Sequence, residues 1–218
     1  IKLFGAPLAM LVNAALLLGS AVILRGLHVR EQPQGPSGAG FWRDLLEGLR
    51  FVGRTPVLVT LAVLMALWQT AHFMAAVVQI LVATRTLGLS EQAVGLCYMG
   101  MGVGTITGSV WGRRISHRIG PGPCLVVGYA ITGTGWLLPA LAPANALGVV
   151  AFALMMASFT MGAVFIFINF LALRQAVTPE PLLGRMTSTM RWLILIPAGP
   201  GALLGGWLGE HVDLRASL

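Results

Sequence analysis

Charge is what this chain has least of. Only 10% of its 218 residues are Asp, Glu, Lys or Arg, less than half the roughly 25% of a soluble domain. That shortage excludes a water-exposed surface. With 56% hydrophobic residues and a mean hydropathy of +0.84, the class left is an integral membrane protein. Acidic residues are scarcer still, seven against fourteen basic ones, and none falls deep in an apolar run. The carboxylate that often relays protons inside membranes is therefore missing. Paired carboxylates, a Cys–His arrangement and a His cluster are missing as well, which removes a membrane enzyme. The two cysteines, Cys97 and Cys124, stand in separate apolar runs without acidic or imidazole neighbours. They are expected near opposite membrane faces, too far apart for a disulfide and unable to form a metal site. There is no signal-peptide pattern and no initiator Met. Because the chain opens inside one apolar run and stops just past another, it is expected to be an internal piece of a longer protein.

What charge there is lies on one side of neutrality. The net charge is +7 and the isoelectric point about 11.0. Such a balance suits nucleic acid when it clusters on a soluble face. Here it sits in short gaps between apolar runs, so no nucleic-acid partner is expected. Thirteen of the fourteen basic residues are arginine, as in GC-rich bacterial genomes.

A helix needs about 20 apolar residues to span the hydrocarbon. Six stretches qualify: 4–24, 57–83, 93–112, 124–142, 147–173 and 186–208. None alternates as a barrel strand does, so the spacing predicts six helices. Basic residues fall in alternate gaps. The first holds Arg25, Arg30, Arg43, Arg50 and Arg54, a later one Arg113, Arg114 and Arg118, and another Arg174 and Arg185, with Arg191 just inside the next run. The intervening gaps have almost none. By the positive-inside rule the rich gaps face the cytoplasm, held there by anionic lipid and the membrane potential. In the first gap, "QPQGPSGAG" reads as a flexible linker. "FWRDLLEGLRFV" places Phe41, Leu45, Leu49 and Val52 on one helical face and Arg43, Asp44, Glu47 and Arg50 mostly on the other, an amphipathic helix along the membrane surface. Pro56 suits the first position of the helix after it.

Two runs carry glycine at helical spacing. Gly100, Gly104, Gly108 and Gly112 recur every fourth residue, leaving a smooth groove for another backbone. Gly201, Gly205 and Gly209 repeat the device in the last run, where Pro197 and Pro200 remove donors and bend the helix. Polar residues within the runs are few. Gln69, His72 and Gln79 share one side of the second run with Met65 and Ala76 and are candidates for a substrate or proton pathway, since the imidazole exchanges its proton near neutral pH. A neutral histidine bonded to a neighbouring helix is the alternative. Asn169, near the basic end of the fifth run, either lines a cavity or joins two helices. Arg191 snorkels to the interface.

Together these features resemble the major facilitator superfamily, in particular its bacterial efflux branch of siderophore and macrolide exporters. "SVWGRRISHRIG", with Gly108, Gly112, Arg113, Arg114, Arg118 and Gly120, resembles the weaker copy of the cytoplasmic signature loop of that superfamily. "TPEPLLGRMTSTMR" followed by "PAGPGALLGG" resembles the tenth loop and eleventh helix. Gly112 stands where the signature has Asp, so its charge lock does not carry over. The spacing in "GPGALLGG" departs from the antiporter motif it echoes. The resemblance implies an all-α fold that is part of a twelve-helix bundle, with six spanning helices present, matching helices six to eleven. Residues 1–25 would be the last helix of the first half, 26–54 the cytoplasmic loop between halves, and 55–218 the second half without its twelfth helix. It further implies a multi-pass protein of the inner (plasma) membrane. Its function would be proton-coupled export of a hydrophobic small molecule or siderophore by alternating access, as in multidrug-resistance antiporters. No cofactor is expected beyond the proton gradient. The partners would be the bilayer, the small-molecule substrate and the remaining helices of the full-length protein. The competing expectation is a membrane protein without transport activity, or a degenerate transporter remnant.

Overall fold

A computed structural model describes residues 5–26 and 41–212. The chain divides into two compact units, Ile1–Gly40 and Phe41–Leu218. The described part of the first is one helix, α1 (Gly5–Arg25), with Arg25 in its last turn. The linker "QPQGPSGAG" lies outside the described residues.

The second unit begins with α2 (Phe41–Arg54) and α3 (Pro56–Leu81), which passes into a π-helical turn at Val82–Thr86. Then come α4 (Glu91–Ile119), α5 (Pro121–Leu141), α6 (Ala146–Ala176), α7 (Leu183–Leu195) and α8 (Ala198–His211), with a 3₁₀ turn at Glu180–Leu182 before α7. Among the described residues, five helical stretches are long and apolar enough to cross a membrane: Pro56–Thr86, Glu91–Ile119, Pro121–Leu141, Ala146–Ala176 and Glu180–His211. α1 is 21 residues long. All six apolar runs of the sequence are thus helical where they are described.

The sequence sets most helix ends by ordinary means. Pro56 opens α3 at its first turn, where the missing N–H has no helical partner to lose. The Ser90 hydroxyl accepts from the Ala93 N–H at the start of α4, and Asn145 Oδ1 accepts from the Leu147 N–H at the start of α6, both standard N-caps. One end differs from expectation. α4 does not stop at 112 but runs to Ile119. Arg113, Arg114 and Arg118, with Gly108 and Gly112, are therefore helical, and of the signature-like loop residues only Gly120 lies in a connection. Nothing in "RRISHRI" breaks a helix, arginine is a good helix former, and long basic side chains reach water while the backbone stays in the helix. The break comes at Gly120, whose φ of +88° and ψ of 162° lie in a region open almost only to glycine. Pro121 then opens α5.

The last apolar run is two helices rather than one kinked helix. α7 ends at Leu195 and α8 starts at Ala198, with Pro197 between. Proline cannot donate to the ladder and its ring clashes with the preceding turn.

α6 packs along both α4 and α5, while α8 lies on α3 and α2 on α7. The glycine runs make two of these contacts. A Cβ placed on Gly104 would stand 2.0 Å from the Ala157 carbonyl oxygen of α6, and one on Gly205 would stand 2.1 Å from the Met74 carbonyl oxygen of α3. Gly100, Gly108 and Gly112 extend the first contact and Gly201 the second. Gly128 and Gly162 bring α5 and α6 together in the same way, a seam the sequence reading missed.

On α2 the apolar stripe supplies part of the protein contact: Val52 is buried and Leu45 half-buried, whereas Leu49 is 46% exposed. Gly48, also buried, lets α2 approach the α7 backbone at Arg185 and the Thr189 hydroxyl, a contact the sequence reading did not include. α2 packs within the second unit.

Two apolar cores result. One gathers Leu58, Leu61 and Met65 of α3 with Ile166, Phe170, Met186 and Met190. The other gathers Val82, Ala83 and Leu87 with Cys97, Phe152, Met155 and Met156. On α3 and α6 the stretches between these two sets carry the polar and aromatic residues described next.

Candidate functional site

His72 sits midway along α3, between the two cores. Its ring stacks on Phe159 of α6 with centroids 4.6 Å apart and on Trp68, one helical turn earlier, at 5.8 Å. Phe73 and Trp136 of α5 approach at 5.4 and 6.4 Å. Phe167 meets Trp68 edge-on. His72 Nδ1 is buried and has no hydrogen-bond partner among the described residues. A buried polar atom left unpaired costs free energy, more so where no water competes, so the position calls for a proton acceptor or donor. The alternative of a histidine bonded to a neighbouring helix does not describe this nitrogen.

The four pathway candidates do not form one cluster. Gln69 is half-buried three residues before His72. Gln79 instead donates from Nε2 to the Tyr98 hydroxyl of α4 at 2.8 Å. Asn169 belongs to a different contact. It is 1% exposed, accepts from the Ser116 hydroxyl of α4 at 2.5 Å and donates to the Phe165 carbonyl at 2.7 Å. Its hydrogen bond to Ser116 joins α4 to α6 beside Gly112.

The sequence reading also missed the aromatic layer. Trp68 and His72 stand four apart and so share a face of α3, which was legible, but Trp136 and Phe159 join them only through the packing of α5 and α6. Tyr98 was missed because its partner, Gln79, lies on another helix. A cleft of about 570 Å³ between α3 and α5, lined by Pro56, Leu61, Leu64, Val126 and Tyr129, was not foreseen either.

At the basic end, Arg113, Arg114 and Arg118 are exposed, and Arg114 lies over the Trp111 ring at 5.7 Å. Arg191 is exposed on α7, as snorkelling requires. Both cysteines are buried and free. Among the described residues no group of His, Cys, Asp or Glu is placed to hold a metal.

Glycine-seamed spanning helices, a helix broken at proline and a half-buried polar stripe are the parts of a membrane carrier. The Major Facilitator Superfamily profile matches residues 1–202. The chain belongs to that superfamily. No curated protein and no solved structure matches it. Members of the superfamily are transporters and not enzymes, so this major facilitator chain is a multi-pass membrane protein whose family moves small molecules across a lipid bilayer.

Proposed function

We propose that the chain is part of a proton-coupled exporter of a hydrophobic small molecule or a siderophore, working by alternating access. Its membrane would be the inner (plasma) membrane, with Arg113, Arg114 and Arg118 on the cytoplasmic side against anionic lipid. The observation that carries the reading is His72, a titratable ring midway along a spanning helix, with an unpartnered buried Nδ1 and an aromatic layer around it. The acidic residues of the described spanning stretches, Glu91, Glu180 and Glu210, lie near their ends, and Asp44 and Glu47 lie on α2, which leaves the imidazole to carry a proton. Gln69 flanks it and Gln79 anchors the same helix to α4. The seams Gly100–Gly104–Gly108 and Gly201–Gly205, with Gly209, Pro197 and Pro200, would let packed helices slide and flex as access alternates.

The test is transport by the full-length protein reconstituted in liposomes with an imposed pH gradient. His72→Ala and His72→Gln should abolish acceleration by the gradient while leaving downhill movement of substrate. Gradient-driven transport that survives both substitutions removes His72 from proton coupling.

A further inference from the structure

The rings around His72 are unusually co-oriented. Trp68 and Phe159 are tilted by only 4°, Trp68 and His72 by 14°, and His72 and Phe159 by 16°. Their centroids lie 4.6 to 5.8 Å apart. Trp136 and Phe167 stand across this set at 66° and 86° to its members. With Phe73 at 62° to His72, the layer is therefore three near-parallel faces with three rings across their edges. None of the six is fully buried, and Phe167 is 45% exposed.

Such a layer distinguishes between apolar molecules. A flexible aliphatic chain gains only area burial from it. A flat fused-ring molecule gains burial and also offset stacking on faces that already share its orientation, and the perpendicular rings supply positive edges to its rim. No carboxylate lies at this level to select an ammonium group, so a cationic ligand would be held here through ring faces. Among the described residues, the one fully buried polar atom of the layer without a partner is His72 Nδ1. We propose that the Trp68–His72–Phe159 stack recognises planar, fused-ring aromatic substrates and is the specificity-determining part of the site. This rests on the exporter reading above and narrows its substrate to one class.

The test uses two cations of like charge, ethidium, which is planar and aromatic, and dodecyltrimethylammonium, which is aliphatic. Binding to the purified full-length protein is followed by quenching of tryptophan fluorescence for ethidium and by isothermal calorimetry for both. Wild-type protein should bind ethidium, and Phe159→Leu, which keeps an apolar side chain and removes the ring, should weaken it about tenfold, while dodecyltrimethylammonium, held by ring faces through its charge alone, weakens by no more than about threefold. Phe159→Trp should restore ethidium binding. The proposal is overturned if the wild type does not bind ethidium, if Phe159→Leu binds it as tightly as wild type, or if Phe159→Leu weakens both ligands alike. Movement of ethidium in liposomes is measured separately. Ring-dependent binding without movement removes the exporter reading and keeps the stack, whereas movement that ignores Phe159 does the reverse.

Discussion

Arg185 of α7 reaches two acids of α2 at once, with Nη1 2.7 Å from Glu47 Oε2 and Nη2 2.9 Å from Asp44 Oδ1. Its own backbone carbonyl lies against Gly48, which sits between those acids and Val52. The amphipathic helix is thus fastened to the first part of the broken last span by charge and close approach together. Arg185 belongs to the "TPEPLLGR" stretch that gave part of the family resemblance. Its partners show what the arginine does in this chain, since a guanidinium fork can serve two carboxylates where a lysine ammonium cannot do so with fixed geometry.

This contact is partly exposed, so each ion pair is worth no more than about 1 kcal/mol. Arg185→Glu places three acids together and should lower the thermal midpoint of the purified protein by a few degrees, roughly 2–4 °C for a chain of this size. Reversing the partners, with Asp44→Arg and Glu47→Arg added, should recover most of the loss. Equal midpoints for the single and triple variants would show that the contact is held by Gly48 alone.

Gly104 and Gly102 differ by two positions on α4 and should differ sharply on substitution. A methyl at Gly104 meets the Ala157 carbonyl and the Thr160 hydroxyl, the latter itself bonded to the Met101 carbonyl across the seam. Gly104→Ala should destabilise by about 2–3 kcal/mol through overpacking. Gly102 has nothing within 4 Å of its Cβ position, so Gly102→Ala should be neutral or stabilise by about 0.5–1 kcal/mol, the usual gain from removing a mid-helix glycine. Denaturation of both variants in the same detergent decides the matter. Equal effects would mean that α4 and α6 are not in close contact there.

Gly120 should tolerate no side chain, for a reason unrelated to space. The nearest atom to its Cβ position is Pro123 Cδ at 4.0 Å, yet its φ is +88°. Gly120→Ala should cost about 1–3 kcal/mol, measured as a lower unfolding midpoint. A silent substitution would show that α4 and α5 are joined by a different turn.

The parts legible in advance were those set by one helix at a time. Apolar runs long enough to span, Pro56 at a helix start and the four-residue glycine repeat each depend on local pattern, and each appears in the structure. The end of α4 was misplaced because the fall in hydropathy at Arg113 marks where lipid contact ends, while the backbone has no cause to stop before Gly120. The contact of α2 with α7 was not legible because its determinants, Gly48 against Thr189 and the acids against Arg185, involve a helix far away in sequence. The aromatic layer around His72 was half legible, since Trp68 and His72 share a helix face, but the contributions of Trp136 and Phe159 depend on the register of three helices.

Asn169 separates packing from transport most cleanly, because its buried side chain is tied into the contact between α4 and α6. Its amide accepts from Ser116 and donates to Phe165, inside a side chain only 1% exposed. Removing it leaves the partly buried Ser116 hydroxyl without that acceptor, a loss of about 1 kcal/mol. Asn169→Leu should therefore lower stability while substrate affinity stays at the wild-type value in the protein that remains folded. Ser116→Ala should reproduce a smaller part of the loss, since Asn169 keeps its bond to Phe165. The two substitutions together should cost less than their sum, because each removes the same hydrogen bond. If Asn169→Leu instead changes substrate affinity at unchanged stability, the residue lies on the transport pathway, and the packing between α4 and α6 at Gly112 must open during the cycle to admit substrate.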